Sequence, residues 1–208
     1  MNEAEAKAWL NEVLNVSRET YDQLDRLRMV VIDEAQRQNL VSAASIPHFW
    51  VRHIVDSAQL LPLAGTAPPG AWLDLGTGAG FPGMVLAILS ARPIILVESR
   101  RKRFEFLTEV ARALGLPHVS VHGGRLETLE TRTVSVISAR AFAPLPRLLG
   151  LAARFSRNDT VWILPKGQGA HDELALIDGL WHGKFHVKQS ITDENAAIIT
   201  ATAVSRRK

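Results

Sequence analysis

The chain of 208 residues contains no cysteine. Disulfide bonds, thiolate metal ligands and cysteine nucleophiles are therefore excluded, and the absence of disulfides fits a reducing compartment. No apolar run reaches the roughly 18 residues that a membrane-spanning helix needs. The opening "MNEAEAKAWL" is acidic and lacks the basic-then-apolar order of a signal peptide. We therefore expect a cytoplasmic protein without a membrane segment.

Aromatic residues are scarce, and Tyr21 is the only tyrosine, so a sheet surface that stacks bases on aromatic rings is not favoured. Hydrophobic residues make up 47% of the chain, which is enough for a sizeable core in one domain. The net charge is only +3, but basic residues concentrate in "ESRRKRFEF" and in the final "SRRK". Such runs fit either a solvated face or a phosphate-binding patch.

The first part of the chain has a helical pattern. The stretch from Glu3 to Gln38 contains neither glycine nor proline, and its apolar residues recur at steps of three and four. This spacing predicts one or two amphipathic helices. A further helix is predicted from Pro47 to Leu61, with the proline in its first turn. We therefore expect residues 1–62 to form a helical cap that packs on a core formed by residues 63–208.

Short apolar segments dominate the rest of the chain: "AWLDL", "IILVE", "VSVH", "VSVISA", "VWILPK", "KFHVKQSI" and "AAIITATAV". Turns or helical stretches separate the first five, which is typical of a parallel sheet covered on both faces. The last two are joined only by a tight turn around "TDEN", which predicts an antiparallel edge. The predicted fold is α/β, a doubly wound and mostly parallel seven-stranded sheet behind the helical cap.

The stretch "WLDLGTGAGFPG", Trp72 to Gly83, places a glycine-rich turn directly after the first predicted strand. In doubly wound sheets, ligands bind at the carboxyl ends of the strands. Gly76 and Gly78 let the backbone turn sharply and approach a ligand without a Cβ clash. Glu98 ends the second strand, where a carboxylate can accept hydrogen bonds from a ribose diol. The pattern therefore predicts a ligand that contains a nucleoside.

Two ligands share these features. Gly78, Gly80 and Gly83 satisfy the dinucleotide pattern G-x-G-x-x-G, which would indicate an NAD(P)-dependent oxidoreductase. Counted from Gly76, where the turn begins, the third glycine position falls on Phe81, which is too large for close helix–strand contact. Asp74 suits a cationic sulfonium or ammonium group better than a pyrophosphate. These points favour S-adenosylmethionine, while a turn without a ligand and a non-catalytic RNA-binding module stay open.

Short motifs along nearly the whole chain carry a family resemblance. They are "NLVS" (39–42), "VRHIVDS" (51–57), "LDLGTGAGFPG" (73–83), "LVES" (96–99) followed by "KRFEFL", "GRLE" (124–127), "ISARAFAPL" (137–145) and "LPKG" (164–167). In this order and spacing the chain resembles the bacterial small-subunit ribosomal RNA methyltransferase G family, also called glucose-inhibited division protein B. The departures are small: "NLVS" stands for the usual "NLTS", and "GFPG" for "GLPG".

The resemblance implies a Rossmann-like, S-adenosylmethionine-dependent methyltransferase that modifies N7 of one guanine in 16S ribosomal RNA. The residues agree with this chemistry. Methylation of pyrimidine C5 usually needs a cysteine adduct, and the Asn/Asp-Pro-Pro-aromatic turn used for exocyclic amines is replaced here by "SARAFAP". Guanine N7 carries an exposed lone pair and no proton, so it requires positioning in line with the methyl group. We therefore assign no catalytic base and expect no metal.

The predicted donor site surrounds the glycine turn and the following strand ends. Its candidate residues are Gly76, Gly78, Phe81, Glu98, Leu126, Glu127 and Arg140. Phe81 could instead be core filler, Glu98 an acid at a helix N-terminus, and Glu127 a surface carboxylate. Arg140 could hold the donor carboxylate or an RNA phosphate, with a structural ion pair as the competing interpretation.

The predicted partner is 16S ribosomal RNA, either naked or within a small-subunit particle, and we expect a monomeric protein. Arg52, His53 and Lys166 are the candidate RNA contacts. Arg52 could equally pair with Asp56, four residues further along one helix, and His53 could be an interior histidine.

Overall fold

The computed structural model describes residues 1–207 and contains a seven-stranded sheet in the order β3-β2-β1-β4-β5-β7-β6. The strands are β1 (Trp72–Leu75), β2 (Ile94–Glu98), β3 (Val119–Gly123), β4 (Val136–Ala139), β5 (Val161–Lys166), β6 (Trp181–Gln189) and β7 (Ala197–Arg206). Strands β1 to β5 pair in parallel, and β7 pairs antiparallel with both β5 and β6. The predicted doubly wound sheet and its antiparallel edge are thus confirmed.

Two amphipathic helices open the cap, α1 (Glu3–Leu14) and α2 (Arg18–Glu34). Asn2 begins α1 with a capping box, and Ser17 caps α2, so both helix starts satisfy backbone N–H groups that have no partner within the helix. Leu10 and Leu24 are fully buried in one cluster with Met84, from the helix that follows β1, and Ile94 of β2. The cap therefore packs on one face of the sheet.

The predicted helix from Pro47 to Leu61 is not one regular helix. The chain passes through a 3₁₀-helix (Ala43–His48), a π-helix (Trp50–Val55) and two short α-helices, α3 (Asp56–Ala58) and α4 (Leu60–Leu63). Pro47 lies inside the 3₁₀-helix and not in the first turn of an α-helix. Pro62 also lacks the N–H that a continuous helix would need at that position.

The remaining helices cover both faces of the sheet. They are α5 (Gly83–Leu89), α6 (Arg101–Ala113), α7 (Leu145–Ala152) and α8 (Ala170–Ala175), with 3₁₀ turns at Leu126–Thr128 and Ala153–Phe155. Helices α5 and α6 share the cap's core cluster, whereas α7 and α8 bury their apolar residues in a second cluster on the opposite face. No helix within residues 1–207 is both long and apolar enough to cross a membrane.

Candidate functional site

Two cavities open at the carboxyl ends of the parallel strands. The smaller, about 410 Å³, lies beside the ends of β1 and β2 and the Leu126–Thr128 turn. The larger, about 1020 Å³, lies between the cap, the end of β5 and the start of β7. The loop residues Ala141, Phe142 and Ala143 line both cavities. The loop after β4 therefore stands between two adjoining sites.

Glycine is required at Gly76, in the turn after β1, and at Gly83, where α5 begins. Gly76 has φ +65°, and a Cβ there would lie 2.7 Å from Cδ2 of Phe142. A Cβ on Gly83 would lie 2.2 Å from Cδ2 of Leu96, so this glycine lets α5 approach β2 closely. That is the contact expected of the third glycine in a phosphate-binding turn. The smaller cavity is thus bordered by backbone that tolerates no side chain at Gly76.

Asp74 anchors the start of α5. It is fully buried, its Oδ2 accepts a hydrogen bond from the Gly83 N–H at 3.0 Å, and its Oδ1 accepts one from the Ser138 hydroxyl at 2.6 Å. The Trp72 indole N–H donates in turn to the Ser138 oxygen at 2.8 Å. Burial raises the pKa of Asp74, and these hydrogen bonds oppose the rise. Both oxygens bind protein groups, so Asp74 holds the start of α5 and makes no direct contact with the smaller cavity.

Glu98 lies on the wall of the smaller cavity and forms hydrogen bonds with the turn after β1 and with the segment after β2. Its Oε2 accepts the Gly78 N–H at 3.0 Å, and its Oε1 accepts the Arg100 N–H at 2.8 Å. Each carboxylate oxygen has a second acceptor position, and the residue is 5% exposed. The side chain is therefore fixed in place with acceptor capacity left for hydroxyl groups of a ligand.

The structure brings together four of the seven predicted donor residues. Gly76, Glu98, Leu126 and Glu127 all line the smaller cavity. Gly78 takes part through its N–H bond to the Glu98 carboxylate. These residues come from three strand ends, as expected for the ligand edge of a doubly wound sheet.

Phe81 and Arg140 lie elsewhere. Phe81 is 2% exposed and belongs to the core, stacked on the His53 ring at 4.9 Å and edge-on to Phe49 at 5.7 Å. Arg140 lines the larger cavity, where its Nη1 lies 3.0 Å from Oδ2 of Asp56. For these two residues the geometry supports the alternatives that the sequence left open, core filler and a structural ion pair.

Three ion pairs line the larger cavity. Besides the Arg140–Asp56 pair, Arg52 Nη1 lies 2.9 Å from Oδ2 of Asp193, and Lys166 Nζ lies 2.8 Å from Oε2 of Glu173. The i,i+4 pairing of Arg52 with Asp56 considered above is thus wrong. A π-helix has more residues per turn than an α-helix, so positions four apart do not align within it.

His53 is an interior histidine at the base of the larger cavity. It is 8% exposed, and its Nε2 lies 2.9 Å from the Ser45 hydroxyl. Burial lowers its pKa to about 4, and the positive charges of Arg140 and Arg52 add to this effect. His53 is therefore neutral at pH 7 and offers packing and hydrogen bonding but no positive charge.

The wall formed by the β6–β7 connection could not be inferred from the sequence. Gln59, 6% exposed, donates to the Ser190 hydroxyl at 3.1 Å and accepts the Ile191 N–H at 3.0 Å. The Thr192 hydroxyl donates to Oδ1 of Asp56 at 2.8 Å. These partners are more than 130 positions apart in the chain, so no local pattern signals them.

Sequence reasoning also passed over Phe142, although it lies in the quoted segment "ISARAFAPL". Three arginine side chains line the smaller cavity: Arg100 belongs to the basic run "ESRRKRFEF" considered above, whereas Arg125 and Arg147 were missed. None of these three forms an ion pair within the part of the chain described, residues 1–207. In the same range, no three histidine or carboxylate side chains gather into a group that could hold a metal ion.

Comparison with solved structures defines the class of the fold. A putative O-methyltransferase from Klebsiella pneumoniae superimposes with a TM-score of 0.61 at 15% identity, covering 96% of each chain. The O-methyltransferase from Bacillus cereus, solved in complex with SAH, gives a TM-score of 0.60 at 16% identity, covering 94% of this chain and 96% of that one. The fold is that of the Rossmann-like, S-adenosylmethionine-dependent methyltransferases.

Sequence comparison identifies the family. The family model described as rRNA small subunit methyltransferase G matches residues 20–198. The ribosomal RNA small subunit methyltransferase G of Novosphingobium aromaticivorans is 51% identical over 210 residues, covering 100% of this chain and 91% of the relative. That of Zymomonas mobilis is 47% identical over 215 residues, covering 100% and 97%. The chain belongs to this family and is an S-adenosylmethionine-dependent methyltransferase, which excludes the oxidoreductase interpretation.

The smaller cavity fits the methyl donor. Its volume of about 410 Å³ lies within the usual range of roughly 300–1,000 Å³ for small-molecule sites. Glu98 is fixed on its wall with acceptor positions suited to hydroxyl groups, and Gly76 lets the Phe142 ring lie against the backbone beside it. S-adenosylmethionine is the cofactor of this enzyme.

Proposed function

We propose that this protein transfers the methyl group of S-adenosylmethionine to N7 of one guanine in 16S ribosomal RNA. The observation that carries the proposal is the pair of adjoining cavities, one suited to the donor and one lined by three ion pairs and large enough for a nucleotide. Family membership supports the same reaction.

The donor's adenosine part is bound by the residues around the smaller cavity. Glu98 accepts hydrogen bonds from the ribose hydroxyls, and Leu126 and Glu127 lie where the adenine edge is read by backbone N–H and a side chain. Gly76 permits close packing of Phe142 against the turn after β1, and both residues border the donor cavity. Gly78 acts indirectly, by holding the Glu98 carboxylate in place.

The target guanine enters the larger cavity and reaches the donor past the loop that carries Phe142. A bond forms between N7 and the methyl carbon while the bond from that carbon to sulfur breaks, and its electron pair stays on the sulfur of S-adenosylhomocysteine. No proton leaves N7, so the neutral His53 is not required as a base. The protein's part is to place the base in line, which is the main source of rate in such a step.

The ion pairs of the larger cavity suit both the RNA and the product. Arg52 and Lys166 can meet phosphates, since guanidinium and ammonium groups are the usual phosphate contacts. Their partners Asp193 and Glu173 balance the positive charge that passes to the methylated guanine. Arg140 pairs with Asp56 and so connects the loop after β4 to the cap at the edge of this cavity.

The remaining expectations form part of the same proposal. The substrate is 16S RNA, naked or within a small-subunit particle, and the enzyme acts as a cytoplasmic monomer. Residues 1–62 form the cap that supplies Arg52 and His53, and residues 63–208 form the donor-binding unit.

Transfer of a labelled methyl group tests the function. Purified protein is incubated with methyl-labelled S-adenosylmethionine and either deproteinised 16S RNA or small-subunit particles that lack the modification. We expect the wild-type protein to label the RNA and Glu98→Ala to label it much less. The control Glu130→Ala removes an exposed carboxylate four residues beyond the cavity residue Leu126 and should label the RNA as the wild type does. Absence of label in both substrates with folded wild-type protein would contradict the proposal.

A further inference from the structure

The edge strand β6 presents a row of basic side chains. Lys184, His186 and Lys188 alternate with Phe185 and Val187 along the strand. The first three are exposed, whereas Phe185 and Val187 are half-buried against the core cluster that contains α7 and α8. Alternation along a strand therefore places the three basic residues together on the opposite face. We call them the β6 basic row.

No carboxylate balances this row from the neighbouring strand. Across the ladder, Lys184 pairs with Thr202, His186 with Thr200 and Lys188 with Ile198. Neither lysine forms an ion pair among residues 1–207, in contrast to the cations of the larger cavity. Asp193, in the turn between the two strands, binds Arg52 of the cap. The row is thus a free positive surface, which attracts a polyanion.

The row leads away from the larger cavity. Ile198, the ladder partner of Lys188, lines that cavity, and β6 ends one residue later at Gln189. Lys184 lies four residues back along the strand, a distance of about 13 Å at the usual rise per residue. Neighbouring members of the row are therefore about 6.6 Å apart, close to the separation of successive phosphates in an extended nucleic-acid strand.

We propose that the β6 basic row binds the sugar–phosphate backbone of the RNA strand adjoining the target guanine. The inference rests on the proposed function for the placement of the guanine in the larger cavity. Each lysine contacts one phosphate, and His186 donates a hydrogen bond from its ring to the same backbone. The contact carries no base readout, so it strengthens binding to any strand that runs along this face.

The test is RNA binding by the double variant K184Q/K188Q across a salt series. The ligand is a single-stranded RNA oligonucleotide with one guanine and at least ten nucleotides on each side of it. Loss of two phosphate contacts makes the negative slope of log affinity against log salt shallower by about 1.4. This change corresponds to about 25-fold weaker binding at 0.1 M salt. The affinity for S-adenosylmethionine, measured by calorimetry, is expected to stay within twofold.

Two matched variants control for charge and geometry. R112Q/R132Q also removes two exposed positive charges, from the end of α6 and from the segment before β4, and is expected to keep the wild-type salt slope within about 0.3. K184R/K188R retains both charges and is expected to keep the wild-type affinity.

Lysines on an edge strand also prevent sheet-to-sheet association, and this explanation predicts a different result. If K184Q/K188Q self-associates on size exclusion but its monomer keeps the wild-type RNA affinity and salt slope, the proposal is overturned. An equal loss of affinity in K184Q/K188Q and R112Q/R132Q also overturns it, because the effect would then be one of net charge. The binding assay needs no methyl transfer: a protein that binds RNA through the row but methylates no guanine would refute the proposed function alone.

Discussion

Replacement of Glu98 by glutamine probes the donor site with almost no change in shape. The carboxylate accepts two backbone hydrogen bonds, from Gly78 at 3.0 Å and Arg100 at 2.8 Å. A glutamine presents one oxygen and one NH₂ group, so one of these N–H groups faces another donor. With 5% of the residue exposed, water cannot fully replace the lost acceptor. The expected loss in free energy of unfolding is about 1–3 kcal/mol.

The same substitution removes an acceptor from the ribose-binding position. A hydrogen bond to a charged group contributes about 1.5–3 kcal/mol, so the affinity for S-adenosylmethionine should fall by about 10- to 150-fold. Calorimetric titration with S-adenosylmethionine and S-adenosylhomocysteine measures this fall, and circular dichroism verifies the fold. Glu130→Gln, an exposed carboxylate beyond the cavity, serves as the control. A folded Glu98→Gln protein whose donor affinity stays within twofold of wild type would refute the placement of the ribose.

Three further predictions follow from single residues. Gly83→Ala places a methyl group 2.2 Å from Cδ2 of Leu96 and should lower the free energy of unfolding by about 1–3 kcal/mol. Urea denaturation measures this loss, and an unchanged midpoint would contradict it by showing that α5 moves to accommodate the methyl group. The pKa of His53 falls from 6.5 to about 4 on folding, so the unfolded chain binds more protons between these values. Stability should therefore decrease by up to about 3 kcal/mol as the pH falls from 6.5 through 4, and His53→Gln should flatten this dependence, as measured by denaturation at each pH. Lys166→Ala should raise the KM for RNA while leaving the donor affinity within twofold; the reverse pattern would place Lys166 in the donor site.

The centre of the sheet could be predicted because its strands are buried on both faces. Strands β1, β2 and β4 are buried at every position, and such mainly apolar segments separated by helical patterns are typical of a parallel sheet covered on both faces. The antiparallel edge followed from the same logic, since a short turn between β6 and β7 leaves no room for the crossover that parallel pairing needs. Here local pattern and final structure agree.

The cap segment from 43 to 63 could not be predicted in the same way. Its apolar residues indicate a helix, but Pro47 and Pro62 remove backbone donors at both ends, and the chain between them widens into a π-helix. That change of period redirects Arg52 to Asp193 and leaves Asp56 to Arg140. The partners come from distant strands, so their pairing depends on tertiary packing.

The lining of the smaller cavity was partly predictable for a topological reason. Gly76, Glu98 and Leu126 follow three parallel strands, and the carboxyl ends of such strands meet at one edge. Phe81 differs because the turn after β1 directs its ring into the core against His53. No spacing rule distinguishes a turn residue that faces a ligand from one that faces inward.

The central claim is methylation of guanine N7, and the most direct measurement is nucleoside mass spectrometry combined with strand cleavage at 7-methylguanosine. 16S RNA lacking the modification is treated with the protein and S-adenosylmethionine, digested, and compared with RNA treated without the donor. We predict 7-methylguanosine approaching one per RNA molecule, with cleavage at a single guanine. Methyl groups on another atom, another base or many guanines would contradict it.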